Sequence, residues 1–61
     1  MFELVAVNRQ NVREQVSLRR FNELQEAKEE AERRRKIEPL KAFYVFIHLS
    51  PFCRLLTYHT L

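Results

Sequence analysis

Glycine, aspartate and tryptophan are absent from this chain, and cysteine occurs once, at Cys53. At an average usage of about 7%, roughly four glycines are expected in 61 residues. Their absence argues against phosphate-cradling loops, tight hairpins and glycine helix caps, all of which draw on glycine's access to positive φ. Nucleotide-binding and small α/β enzyme domains rely on such loops. A mostly helical chain with few turns fits the composition instead. A lone cysteine excludes an intrachain disulfide. His48, Cys53 and His59 are the only soft metal ligands, spaced five and six apart. No Cys-x-x-Cys or His-x3-His pair occurs, so neither a metal nor a cofactor is expected.

Targeting patterns are also sparse. The N-terminus lacks the basic n-region and long apolar h-region of a secretory signal. Glu3 and Glu14 lie where a mitochondrial transit peptide is acid-poor. With one cysteine, this pattern fits a reducing, intracellular location, cytoplasmic or at the cytoplasmic face of a membrane. The basic run at 33–36 also fits nuclear import.

Sixty-one residues make one small domain at most. Domains of this size bury only about 60% of the unfolded chain's surface and usually need a staple. Without a disulfide or metal, the chain depends on a partner, on a membrane, or has no stable fold. Net charge is +3, with 11 basic residues against 8 glutamates. That balance permits anionic partners without requiring them.

Three segments follow one another. Residues 1–10 form a short apolar arm, in which Phe2, Leu4 and Ala6 give a brief alternating pattern. Residues 11–38 read as one long charged helix. Asn11 is placed as N-cap, and Glu14 sits three residues on, as in a partial capping box. "ELQEAKEEAERRRK" is rich in helix formers. Glu29, Glu30 and Glu32 each precede Arg33, Arg34 and Lys36 by four, the favourable orientation for side-chain pairs of about 0.2–0.5 kcal/mol. Pro39 breaks the helix. Its composition is coiled-coil-like, but Val12, Val16, Phe21, Leu24, Ala27 and Ala31 do not hold a heptad register.

Residues 39–61 form an aromatic, apolar tail whose period is ambiguous. "FYVFI" has high strand propensity, whereas Leu40, Phe43, Tyr44 and Ile47 fit a helical face. Ser50 and Pro51 read as the N-cap and first residue of a second short helix. The expected fold is therefore mainly α: one long helix, a break, then one or two short helices.

The lead functional expectation is a non-enzymatic interaction or structural element with another protein as partner. Phe21, Leu24, Ala27 and Ala31 are the candidate docking patch. The alternative is a peripheral membrane protein. In that reading Arg33, Arg34, Arg35, Lys36 and Lys41 form a basic collar for anionic headgroups. Phe43, Phe46, Ile47, Leu49, Phe52, Leu55 and Leu56 then supply the interfacial anchor within 42–58. A full span is marginal, because the clean apolar stretch runs only from Ala42 to Cys53.

Nucleic acid is disfavoured, since aromatics are not interleaved with the basic residues. The abrupt change of composition at Glu38–Pro39 also fits a truncated or frame-altered product with no selected function. No nucleophile, base and orienting residue share a suggestive spacing, so neither catalysis nor a small-molecule substrate is expected. His48 reads as a half-buried residue with one hydrogen bond, and Cys53 as an inert thiol.

Overall fold

A computed structural model describes residues 1–60; Leu61, the end of the expected tail, lies outside the described residues. The chain runs β1 (Phe2–Asn8), β2 (Asn11–Phe21), α1 (Leu24–Ile37), β3 (Lys41–Ser50) and β4 (Cys53–His59). The strands form one sheet in the order β2–β1–β3–β4, with every neighbouring pair antiparallel. Two local hairpins are thus joined along a seam between β1 and β3, and α1 lies across one face.

This architecture corrects the mainly α expectation, and with it the helical and coiled-coil-like description. The protein is predominantly antiparallel sheet with one helix of 14 residues. The expected helix over 11–38 splits near its middle. Asn11–Phe21 contains Val12, Val16, Ser17 and Phe21, none of them strong helix formers. β1 offers this stretch an antiparallel template only two residues away, so pairing overrides the capping-box reading. Asn11 Oδ1 accepts from the Arg13 backbone N–H at 3.2 Å, and Glu14 accepts from Asn8 Nδ2 at 2.9 Å. The same side chains that resemble a helix start instead stabilise a hairpin.

The second correction concerns residues 40–61. "FYVFI" follows its strand propensity, and Ser50–Pro51 makes the β3–β4 turn rather than a helix start. Ser50 Oγ accepts from the Phe52 backbone N–H at 3.2 Å. In the other hairpin Asn8 Oδ1 accepts from the Gln10 N–H at 2.9 Å. Both turns are built without glycine, and no described residue has positive φ. Asn8 and Ser50 at the first turn position, with Pro51 next in the second turn, suit turns that keep φ negative throughout. The lack of glycine therefore selects the turn type and does not forbid hairpins.

β1 is an interior strand rather than an arm, because it is apolar on both faces. Phe2, Leu4 and Ala6 point toward α1, while Val5 and Val7 point away from it. The core between helix and sheet contains Leu4, Ala6, Phe21, Ala27, Ala31, Phe43 and Val45. Ala27 and Ala31 are fully buried. Their small side chains let the helix backbone sit close to the sheet, and Phe43, Leu4 and Val45 fill the space beneath. Burial of each of those three large side chains contributes about 1.5–3 kcal/mol.

Both outer strands carry a bulge. Leu18 is the extra residue in β2 and packs against the core; Thr57 is the extra residue in β4. Thr57 Oγ1 donates to the Val45 carbonyl at 2.9 Å.

α1 begins after Glu23 without a side-chain cap. Glu26 lies in its first turn and Arg34, Arg35 and Lys36 in its last, matching the helix dipole. The Glu38 N–H bonds to the Arg34 carbonyl at 2.8 Å. Pro39 follows, and the compositional change at 38–39 falls between α1 and β3, inside one continuous sheet fold.

Candidate functional site

The helix-free face of the sheet is the most distinctive surface. Strand alternation places Glu3, Val5 and Val7 of β1 there, with Tyr44, Phe46 and His48 of β3 beside them. β2 adds Ser17 and Arg20, and β4 adds Arg54, Leu56 and His59. Val5 and Val7 are buried although no described helix covers this side. Tyr44 meets Phe46 and His59 edge-on, with ring centroids 6.4 and 5.8 Å apart. Leu56 and the rings thus surround an apolar centre, with Arg20 and Arg54 at its border.

Glu3 organises one end of this face. Its carboxylate accepts from His48 Nε2 at 2.7 Å and from an Arg54 guanidinium nitrogen at 3.0 Å. The Ser17 hydroxyl also donates to it. One carboxylate on β1 therefore ties together β2, β3 and β4. Burial works to raise the Glu3 pKa, but the bonds from Ser17, His48 and Arg54, together with the Arg54 charge, outweigh it. They bring it from 4.5 to about 2. Arg54 also lies over the Phe46 ring, 4.1 Å from its centroid.

This constellation is poorly suited to acid–base chemistry. A carboxylate with a pKa near 2 is too weak a base at neutral pH. Ser17 and His48 both bond to Glu3 and not to each other, so no base addresses the hydroxyl. Among the described residues, no three His, Cys, Asp or Glu groups converge to hold a metal.

A second polar cluster joins α1 to β4. The Tyr58 hydroxyl donates to Glu32, which also accepts from Arg35 at 3.1 Å. The bonds from Tyr58 and Arg35 hold the Glu32 carboxyl below its ordinary range. The same bond to Glu32, aided by burial, pushes the Tyr58 phenol up. Lys28 lies 5.3 Å from the centroid of the Tyr58 ring. Lys28, Glu32 and Tyr58 line a depression between the helix flank and β4.

The residues singled out from the sequence are dispersed by this fold. Phe21, Ala27 and Ala31 are buried in the chain's own core, and Leu24 packs against it. Their apolar surface covers the sheet and is not presented outward. Arg33 and Arg34 pair with Glu30, Arg35 pairs with Glu32, and Lys41 pairs with Glu38 at 3.3 Å. Lys36 stands with these arginines in the last turn of α1. The apolar set separates into three groups. Phe43 is in the core, Phe46 lies under Arg54, and Ile47 sits opposite Phe2. Leu49, Phe52, Leu55 and Leu56 are exposed on the β3–β4 hairpin. No described helix is long and apolar enough to cross a membrane.

Glu3, Ser17 and Arg54 were not singled out by sequence. Their only trace is polarity at alternate positions of short strands, visible once strand pairing is known. Comparison with known protein families, curated proteins and solved structures finds no match to this chain.

Proposed function

We propose that this chain is a non-enzymatic protein-binding module that docks a partner protein on the helix-free face of its sheet. The observation that carries the reading is the apolar centre presented by Tyr44, Phe46 and Leu56 above the buried Val5 and Val7, with Arg20 and Arg54 at its border. A complementary surface has an apolar centre and carboxylates opposite the two arginines. Aromatic and arginine side chains are the types that most often anchor protein interfaces.

Two features favour protein over nucleic acid. Glu3 is a fixed negative charge on the same face and repels phosphate. Arg54 already covers one side of the Phe46 ring, leaving less of it to stack a base. The arginine run favours protein over lipid, since Arg33, Arg34 and Arg35 are engaged by glutamates of their own helix. Each such pair weakens the attraction to anionic headgroups.

The test is a photo-crosslinking amino acid placed in cells at Tyr44, or at Val12 on the exposed outer strand. The expected result is cross-links to one discrete protein from position 44 and none from position 12. That protein's acidic residues should map to the cross-linked region. Cross-links from position 44 to nucleic acid or lipid alone would overturn the proposal, as would equal labelling from both positions.

A further inference from the structure

The two arginines that border the helix-free face are not equivalent. Arg54 already meets the Glu3 carboxylate and lies over the Phe46 ring. Arg20 is exposed, and its guanidinium donates to Met1 Sδ at 3.8 Å. A thioether sulfur is a weak acceptor. Among the described residues no glutamate forms an ion pair with Arg20. Arg20 also lines a depression, together with His48, Leu49, Ser50 and Pro51 from the end of β3 and its turn. The lining is of two kinds. Leu49 and Pro51 are apolar and exposed. Ser50 Oγ accepts from the Phe52 N–H at 3.2 Å, which leaves its hydroxyl hydrogen to donate elsewhere. His48 is anchored to Glu3 at 2.7 Å, so this side of the depression is fixed before anything docks.

We infer that this depression receives the C-terminal carboxylate of the partner protein, borne on an apolar last residue. The inference rests on the reading of the helix-free face as a protein-docking surface and names the chemical group that the face takes. The Arg20 guanidinium presents a planar fork of N–H donors that matches the two oxygens of a carboxylate. The Ser50 hydroxyl supplies a further donor. The last side chain of the partner lies against Leu49 and Pro51.

Charge and shape select this occupant. A chain terminus carries its carboxylate and its side chain on the same carbon, and the depression likewise sets donors beside apolar residues. The carboxylate of an Asp or Glu stands at the end of its own side chain, with no apolar group attached beside it. A monoanion also suits the local balance of charge. Glu3 keeps its full negative charge on the same face, so a dianionic phosphate meets that charge with Arg20 as its one uncommitted arginine. A second copy of this chain is disfavoured on the same ground, because its helix-free face presents Arg20 and Arg54 and no free carboxylate to match them.

NMR titration of the isotope-labelled chain with N-acetyl-leucine tests the inference. N-acetyl-leucinamide, the α-amide of N-acetylglutamic acid and inorganic phosphate serve as comparisons at constant ionic strength. The expected result is a saturable shift at Arg20, His48 and Ser50 with a Kd of about 1–10 mM, as one charge-assisted contact provides. The leucinamide should give no shift there, and the glutamic acid amide and phosphate should bind several-fold more weakly. Arg20→Gln should weaken N-acetyl-leucine by about tenfold. Arg13→Gln, at another exposed arginine of β2, should leave it unchanged. Circular dichroism confirms that each variant keeps its sheet. In cells, Arg20→Gln should also diminish the protein cross-link from Tyr44. No saturable shift with N-acetyl-leucine overturns the inference. So does equal binding of any of the three comparison compounds, an affinity unchanged in Arg20→Gln, or a Tyr44 cross-link at full strength in that variant. Absence of a discrete protein cross-link from Tyr44 in the wild type overturns the docking reading and the partner as occupant, while the titration separately reports the carboxylate seat.

Discussion

Replacing Glu3 by Gln removes the charge that holds four strands together while nearly preserving side-chain shape. The Glu3 pKa is lowered from 4.5 to about 2, a depression of about 2.5 units. At 1.36 kcal/mol per unit, the ionised carboxylate contributes at most about 3.4 kcal/mol to folding at neutral pH. The side chain is 10% exposed, so solvent screening removes only part of this. A chain of 61 residues has a total stability of roughly 3–9 kcal/mol. Glu3→Gln should therefore cost about 2–3 kcal/mol at pH 7, a large share of the whole.

The sign of the pH effect follows from the direction of the shift. A depressed carboxylate gives stability that is fully present above the unfolded value of 4.5 and is lost as pH falls through about 2. Urea titrations at pH 7, 5, 4, 3 and 2, followed by circular dichroism, should show the wild type and Glu3→Gln far apart at pH 7 and converging in acid. Glu32 also titrates in acid, but it is present in both proteins, so its contribution cancels in the difference. Parallel curves from pH 7 to 2 would refute the reasoning. So would a variant within about 0.5 kcal/mol of wild type at pH 7, the scatter expected for an ordinary surface substitution.

Three other substitutions probe separate parts of the structure. Phe43→Ala empties the centre of the core and should cost about 3–5 kcal/mol, enough to leave the chain largely unfolded by urea titration or near-UV circular dichroism. Ala31→Leu adds bulk where α1 meets the sheet and should destabilise by about 1–3 kcal/mol, whereas the same change at an exposed helix position should be near neutral. Tyr58→Phe removes the hydrogen bond to Glu32 and should destabilise the chain less than Phe43→Ala does, with the Glu32 titration moving upward in an NMR pH series.

The legible parts of the fold were those where local and long-range preferences agree. "LQEAKEEAERRRK" is strongly helix-forming and lies in α1. Asn11–Phe21 was illegible because its Asn and Glu spacing fits both a helix start and a hairpin, and only the proximity of β1 decides between them. The "FYVFI" run carried its strand preference openly. It was outweighed because Leu40, Phe43, Tyr44 and Ile47 also match a helical period. Absent glycine misled for a further reason: Asn8 and Ser50 replace it with side-chain bonds to the turn backbone. The Glu3 cluster was hidden because its members lie on four strands, and Glu3 and Arg54 are separated by most of the chain. The helix patch Phe21, Leu24, Ala27 and Ala31 was visible as apolar, but sequence periodicity does not say whether such a patch faces the chain's own sheet or an outside partner.

The strand order has a consequence for assembly in time. Each hairpin is local and closes early, but the seam between β1 and β3 pairs Phe2 with Ile47. A nascent chain that has released β1, β2 and α1 therefore holds an interior strand with one side bare until β3 arrives. Non-local pairings of this kind are slow to form. The connection between α1 and β3 is also where the protein divides into complementary halves. Peptides covering 1–38 and 39–61, mixed together, should recover the sheet that neither forms alone.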